Sequence, residues 1–389
     1  MNNVDSVVFD PFMGSGTTGV VGRELGVNVI GNEVNPFLLK ICKAKMDSYN
    51  SVDSKKLLLV AKKMLERAST KWKNADISEE HPLLAQCYPI DNLKKLVTLR
   101  NLLAEKELTP MDQEKYFFVI LTKCLLSSAQ VGINVPYVNW SAVKSPKETL
   151  AEFRKNLMIV HDDLMTASKI ANDEAIAEVF SHDSRNENKE IETAGVNMVF
   201  TSPPYLNNFD YGEALKVFLY FWGMARNWDE INERIRRISV TSATTYYKES
   251  SLLSKSYEAI LGREFTKKVP DASFEIIHKA GLIRKRIANR KTAAKSFDLL
   301  TLLYFKDMFH VLKELKRVLK EQSLCFMVVG DSAPYGVHVL TDSILGEMAL
   351  EMGFSSFTLS PLRKRGLKWR TLRYRHKRSL RESLLILRR

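Results

Sequence analysis

Residues 7–33 read Val-Val-Phe-Asp-Pro-Phe-Met-Gly-Ser-Gly-Thr-Thr-Gly-Val-Val-Gly-Arg-Glu-Leu-Gly-Val-Asn-Val-Ile-Gly-Asn-Glu, and this stretch decides the fold. Val7–Asp10 is a short apolar run ending on an acid. Residues 11–18 form a glycine-rich loop, residues 19–26 a small-residue helix closed by Gly26, and residues 27–33 a second strand ending on Glu33. The pattern predicts a β-α-β unit with glycines between the carboxyl end of one strand and the N-terminus of a helix. Dinucleotides and adenosyl cofactors bind at that place in open α/β sheets. No Lys-Ser/Thr pair follows the glycines, which excludes a P-loop. An acid at the end of the second strand is the usual grip on a ribose diol, and here that acid is Glu33.

Outward from this unit, residues 37–175 read almost wholly helical. Apolar residues recur at spacings of three and four in 55–68, 90–105 and 114–129. The stretch 41–175 is expected to be a helical insertion, and 131–140 (Val-Gly-Ile-Asn-Val-Pro-Tyr-Val-Asn-Trp) is expected to be a loop within it. A strand then runs into His182-Asp183-Ser184-Arg185, and a further apolar run, Val196–Thr201, enters Ser202-Pro203-Pro204-Tyr205. Each proline fixes its own φ and pushes the residue before it into extended space. The result is a stiff ledge at a strand end, with carbonyls that no ladder uses and the flat ring of Tyr205 beside them. Such a ledge suits a planar, amino-bearing group such as a nucleobase; a proline-rich turn with a packed tyrosine has the same local sequence. An aromatic-rich helix follows. Residues 225–296 are polar and basic with weak periodicity, and are expected to form a second, basic insertion. A long helix (297–321), a buried strand (323–332), a helix closed at Gly353 and two terminal strands flanking a basic stretch complete the chain.

The 389 residues carry a net charge of +13 that is unevenly placed. Residues 363–389 hold twelve Lys/Arg against Glu382 alone, and residues 262–295 hold ten against three acids. Concentrated positive charge favours a polyanion, most simply nucleic acid. Trp369, Leu372 and Tyr374, interleaved with the terminal charges, point to an ordered surface rather than a solvated tail. No run approaches the 18 or so apolar residues of a membrane span, and neither a span nor a signal peptide is expected. The four cysteines (Cys42, Cys87, Cys124, Cys325) are scattered without C-x-x-C pairs, which argues for reduced thiols, a cytoplasmic location and no structural metal.

Asp10-Pro11-Phe12-Met13-Gly14-Ser15-Gly16-Thr17-Thr18 together with Ser202-Pro203-Pro204-Tyr205 resembles the amino-group DNA methyltransferases, which methylate cytosine N4 or adenine N6 using S-adenosylmethionine. Gly31-Asn32-Glu33, His182–Arg185, Tyr304–Met308, Val328–Ser332 and the closing strand Arg381–Leu387 match in order. The resemblance covers about 1–40, 176–224 and 297–389. It implies a Rossmann-like class I methyltransferase sheet, mostly parallel with the last strand antiparallel. The catalytic domain would be discontinuous (1–40 and 176–389), with the helical insertion at 41–175 and the basic insertion at 225–296 as the target-recognition region.

The resemblance assigns cofactor contacts to Asp10, Pro11, Phe12, Gly14, Gly16, Thr17, Glu33 and Asp183, the last accepting from the adenine amino group. Thr17 and Thr18 are read as helix-capping residues ahead of ligand contacts. It assigns catalysis to Ser202, Pro203, Pro204 and Tyr205. The Ser202 hydroxyl and the Pro203 carbonyl accept the amino hydrogens and aim the nitrogen lone pair for in-line transfer, while Tyr205 stacks on the base. A duplex base reaches such a pocket only by flipping out. Asn207, Asp210, Tyr211, Asp331 and Ser332 are candidate substrate contacts; helix capping by Asp210 and a turn at Asp331-Ser332 are the alternatives. No cysteine follows a proline, so the Pro-Cys chemistry of carbon-5 enzymes is disfavoured. Ser202 at the head of the ledge leans towards cytosine N4 over adenine N6, in a restriction-modification or phage-defence setting.

The family usually carries a further helix beside the methionine pocket, before the glycine loop or at the far end of the chain. Five residues precede the first strand here, so the expectation is that a partner polypeptide or an upstream extension completes the pocket. Two other readings stand beside this one. The first is an RNA guanine-N2 methyltransferase, and the second a catalytically inactive DNA-binding subunit that keeps the fold as a scaffold.

Overall fold

The structure is a computed structural model that describes residues 6–47, 54–135, 137–170, 172, 174–289, 295–366 and 378–389. Trp369, Leu372 and Tyr374, with part of the terminal basic run, lie outside these residues.

In chain order the first elements are β1 (Val7–Asp10), α1 (Thr17–Leu25), β2 (Asn28–Asn32) and α2 (Pro36–Met46). Next come α3 (Ser54–Lys71), α4 (Pro82–Cys87), α5 (Ile90–Ala104), α6 (Met111–Ser128), β3 (Val131–Val135), β4 (Tyr137–Val143) and α7 (Thr149–Ile170). The sheet resumes with β5 (Ala177–Phe180) and β6 (Val196–Thr201), followed by α8 (Tyr211–Phe221) and α9 (Trp228–Ile231). The remainder is α10 (Tyr257–Leu261), α11 (Arg263–Lys268), α12 (Pro270–Ala288), α13 (Phe297–Val318), β7 (Leu319–Gly330), α14 (Thr341–Glu351), β8 (Ser356–Arg365) and β9 (Leu380–Arg388).

Seven strands form one sheet in the order β5-β2-β1-β6-β7-β9-β8. All the pairings among β5, β2, β1, β6 and β7 are parallel, and β9 runs antiparallel to both of its neighbours. This is the expected α/β arrangement, with its reversed strand last in the chain. From β1 the chain leaves to one side through β2 and β5, then returns through β6 to the other side. The carboxyl ends of β1 and β6 therefore flank the switch point, where open α/β sheets bind ligands.

Strand alternation divides the sheet. Phe9, Val199, Cys325 and Leu387 face a core built with α12, α13 and α14. Val8 and Val29 face the other way, beneath the buried Cys42 and Met46 of α2. The first two helices are defined locally. Gly26 closes α1 in the left-handed conformation (φ 68°), and Asn35 caps α2 by accepting from the backbone N–H groups of Phe37 and Leu38.

A separate apolar cluster joins α3, α5, α6 and α7 to Val217–Phe221 of α8 and Ile231 of α9. The helical stretch therefore packs on the helix that directly follows the ledge. Two local expectations are corrected. The expected loop at 131–140 is a β3–β4 hairpin in which Val131 pairs with Val143 and Gly132 with Asn139. Val131, Ile133 and Val135 alternate along the first strand, and β-branched residues favour such pairing. Residues 270–288 form a regular helix despite the weak periodicity of their surroundings. Its inward stripe is Ala272, Ile276, Ala280 and Ile283, and two alanines make that stripe too mild to stand out by hydrophobicity alone. The four cysteines are buried and unpaired. No described helix is long and apolar enough to cross a membrane.

Gly22 shows how tightly α1 sits on the sheet. Alanine normally stabilises a helix interior over glycine by about 1 kcal/mol. At Gly22, however, a Cβ would collide with the Val29 side chain and lie 3.1 Å from the Val27 carbonyl. Gly22→Ala should therefore destabilise the protein by about 1–3 kcal/mol. A lower denaturant midpoint at unchanged slope is the expected result; a higher midpoint would show that α1 is free to lift.

Candidate active site

The site is built from strand ends. Asp10 closes β1 and is buried, with its carboxylate fully engaged. One oxygen accepts from the Phe12 N–H (3.0 Å) and the Thr201 hydroxyl (2.7 Å), and the other accepts from the Thr18 hydroxyl (2.6 Å). Burial nevertheless pushes its pKa up, the three hydrogen bonds offsetting only part of the cost. These bonds tie the glycine loop, the first turn of α1 and the end of β6 to one residue.

Glu33 follows β2. One of its oxygens accepts from the Gly14 N–H (2.8 Å) and the other from the Asn35 N–H (2.7 Å). Each oxygen therefore keeps acceptor capacity for a further donor. Burial raises its pKa to about 7, against the pull of those two N–H bonds and with a small push from Asp10. Behind the loop, the Ser184 hydroxyl donates to the Pro11 carbonyl (2.6 Å). Asn32 donates to Ser184, and Asn188 donates to Asn32. This buried polar rack fixes the third strand end against the first two.

One cleft opens across these ends. Pro11, Phe12, Gly14, Glu33, Asp183, Ser202, Pro204 and Tyr211 all line it, from four strand ends and the start of α8. Six other walls were not singled out from the sequence: Val34, Asn35, Leu38, Ile238, Ser239 and Val240. The first three adjoin motif residues. Ile238 and Val240 come from the middle of the basic stretch, and no local signal marked that segment as returning to the cleft.

Several predicted residues lie elsewhere or are otherwise engaged. Gly16 and Thr17 are not in the cleft. Gly16 (φ 82°) makes room for α2, since a Cβ there would lie 2.9 Å from the Cys42 sulfur. No side chain caps α1, and Thr18 instead serves Asp10. Asp10 acts from beneath the loop rather than from the cleft wall. Asp183 does face the cleft, but Arg185 holds its carboxylate at 2.7–3.1 Å and also pairs with Asp307 (3.2 Å). The sequence reading did not single out Arg185 as the partner of this acid.

Asp210 caps α8, accepts from Thr245 and forms a buried ion pair with Arg236, so its oxygens are spent on structure. Asn207 is exposed and adopts a left-handed φ of 59°. Asp331 pairs with His338 and accepts from the Arg381 N–H, while Ser332 bridges Val339; both belong to a buried turn away from the cleft. On the ledge, the Ser202 hydroxyl is exposed and makes a long contact of 3.4 Å to the Val328 carbonyl of β7. Pro203 is buried and lies beyond the last β6–β7 pairing, Thr201 with Met327. The Tyr205 hydroxyl donates to Glu382 (2.9 Å).

A mostly parallel sheet with one reversed strand, a glycine loop at its switch point and an acid ending its second strand define a Rossmann-like methyltransferase fold. Comparison with known proteins agrees. Residues 1–44 match the N6/N4 methyltransferase family model, described as DNA methylase. The type II methyltransferase M.MjaII of Methanocaldococcus jannaschii is 34% identical over 116 residues, 29% of this chain and 21% of that protein. M.AvaI of Anabaena variabilis, also a type II methyltransferase, is 27% identical over 166 residues, 43% of this chain and 32% of the relative. The type II methyltransferase M.BsoBI of Geobacillus stearothermophilus is 22% identical over 392 aligned positions, 92% of this chain and 75% of the relative. The matches to M.MjaII and M.AvaI thus span about a fifth and a third of those proteins. No solved structure matches the chain. Over these stretches the chain is similar to the amino-group DNA methyltransferases.

The Glu33 environment has a measurable consequence. Its pKa rises from 4.5 to about 7 on folding, so the folded chain keeps a proton that the unfolded chain releases. The stability associated with that proton is complete below about pH 4.5 and is lost as the pH rises towards 7. Denaturant midpoints should fall across this window in the wild type and fall less in Glu33→Gln. An equal decline in both would place the titrating group elsewhere.

Proposed function

We propose that this chain transfers a methyl group from S-adenosylmethionine to an exocyclic amino group of a flipped DNA base, with cytosine N4 favoured over adenine N6, in a restriction-modification or phage-defence setting. The observation that carries the reading is the single cleft lined by both Glu33 with Gly14 and Ser202 with Pro204. The residues present suit the cofactor. Glu33 has acceptor capacity on both oxygens for a ribose diol, and the backbone at Gly14 leaves room beside it. Phe12, Val34, Leu38, Ile238 and Val240 offer apolar walls for a purine, and Asp183 is the acid at its edge. The bound cofactor supplies an electrophilic methyl group on a sulfonium centre.

The chain's own task is to orient and polarise the acceptor. An exocyclic amino nitrogen is a poor nucleophile because its lone pair is delocalised into the ring. The Ser202 hydroxyl oxygen and the Pro203 carbonyl accept its two hydrogens and draw it towards tetrahedral geometry, while the prolines keep both acceptors in place. Asp10 acts through position, by holding the loop and the ledge strand together. Basic residues from the 225–296 stretch would neutralise phosphates on the same side as the cleft wall at Ile238–Val240.

Labelled methyl transfer to mixed-sequence DNA, followed by nucleoside mass spectrometry, tests activity and base together. Ser202→Ala should lower turnover about a hundredfold or more while leaving cofactor affinity nearly unchanged. An equal loss of cofactor binding would rule out Ser202 as the acceptor of an amino hydrogen.

A helical segment from a partner polypeptide or from an upstream extension is also proposed to complete the site. The sheet face that α1 and α2 cover at Val8 and Val29 continues over Met198, Leu324, Phe326, Val328, Leu384 and Ile386, all only partly buried, and Phe200 is 46% exposed. Mostly parallel sheets normally bury both faces. The purified chain alone should turn over slowly, and a full rate without any added polypeptide would refute this part of the proposal.

A further inference from the structure

The ring of Tyr205 is already covered. The guanidinium of Arg365, at the end of β8, lies over it with its central carbon 4.7 Å from the ring centroid. The same guanidinium packs against Gly330 at the end of β7. A Cβ on Gly330 would collide with it and would also lie 2.9 Å from a Tyr205 ring carbon. The glycine thus flanks the stacked pair at the edge of the ring, and its lack of a side chain leaves room for the guanidinium over the tyrosine. Glu382 already accepts from the Tyr205 hydroxyl and from Arg363. Stacking, close packing and the nearby charge of Glu382 hold Arg365 here.

We propose that Arg365 is a resident stand-in for the target base, filling the stacking slot until the base displaces it. The argument rests on Ser202–Tyr205 being the target ledge. A guanidinium is planar, carries N–H donors around its edge and stacks on aromatic faces. In those three respects it resembles the amino-bearing edge of cytosine or adenine. Its place over the Tyr205 ring and against Gly330, on the ledge that Ser202 heads, is the place a stacked base needs. Both cannot occupy one face of one ring, so entry of a base requires Arg365 to leave. The contact that must be broken is a cation–π pair between two partly buried side chains, whose strength corresponds to a change in affinity of at least about two- to fivefold.

Uncharged probes separate this role from phosphate binding. The protein is saturated with S-adenosylhomocysteine to close the cofactor cleft, and binding of deoxycytidine and deoxyadenosine is followed by saturation-transfer NMR. Arg365→Ala and Arg365→Lys should both bind the nucleosides about two- to fivefold more tightly than the wild type. Added methylguanidine should reverse the gain in Arg365→Ala, and Tyr205→Ala combined with Arg365→Ala should abolish it. Equal nucleoside affinity in wild type and variants, with S-adenosylhomocysteine bound, would overturn the stand-in role while leaving the methyltransferase reading intact. Failure of either nucleoside to bind any of them would instead overturn the reading of Ser202–Tyr205 as the target ledge, and the stand-in role with it.

Discussion

The buried carboxylate of Asp10 is the constraint on which the rest of the site depends. A lone carboxylate inside a protein is costly unless its lone pairs are used, and here a backbone N–H and two hydroxyls use them. The three donors belong to the glycine loop, the first turn of α1 and the last residue of β6. Satisfying the charge and registering the two halves of the cleft are therefore one event. Because burial still raises the pKa, the arrangement keeps tension on those bonds: loss of one donor leaves a buried acceptor unmet, and both the loop and the ledge lose their common anchor.

Around that anchor, acids and bases are sorted by function. Glu33 is kept apart from cationic side chains and titrates high because burial dominates its environment. Asp183, Asp210 and Glu382 are each neutralised by an arginine from a distant part of the chain or a neighbouring turn. The first acid thus retains capacity for a ligand, while the others lock loops in place. The basic stretch contributes twice: Arg236 holds the N-terminus of α8 through Asp210, and Ile238–Val240 close the cleft. The helical region acts more remotely, by packing on α8 from the side away from the cleft.

Motifs whose residues are close in sequence were legible from the chain alone. The β-α-β opening, the Pro-Pro ledge and the cleft positions of Glu33 and Ser202 follow from local chemistry: backbone freedom at glycine, its loss at proline, and an acid placed at a strand end; the reversed final strand and the cleft position of Asp183 were implied by the family resemblance. The misread parts share a different cause. The β3–β4 hairpin was hidden by its proline and its helical surroundings, and α12 by an alanine-rich inner face. The roles of Asp10, Asp210, Asp331 and Ser332 depended on which donors folding would bring to them, and sequence spacing carries no such information.

The sequence by itself determined the fold class, the switch-point location of the site and the chemical character of its two halves, because these follow from hydrophobic period, turn chemistry and short motifs. Only the tertiary structure decided which polar groups are spent on holding the site and which remain available within it. It placed Thr201 on Asp10, Arg185 on Asp183 and Arg365 over Tyr205, across separations of 191, 2 and 160 residues. The physical reason is that burial and hydrogen-bond partnership are properties of the packed chain. A carboxylate or an aromatic ring has the same sequence signature whether it awaits a ligand or already has a partner.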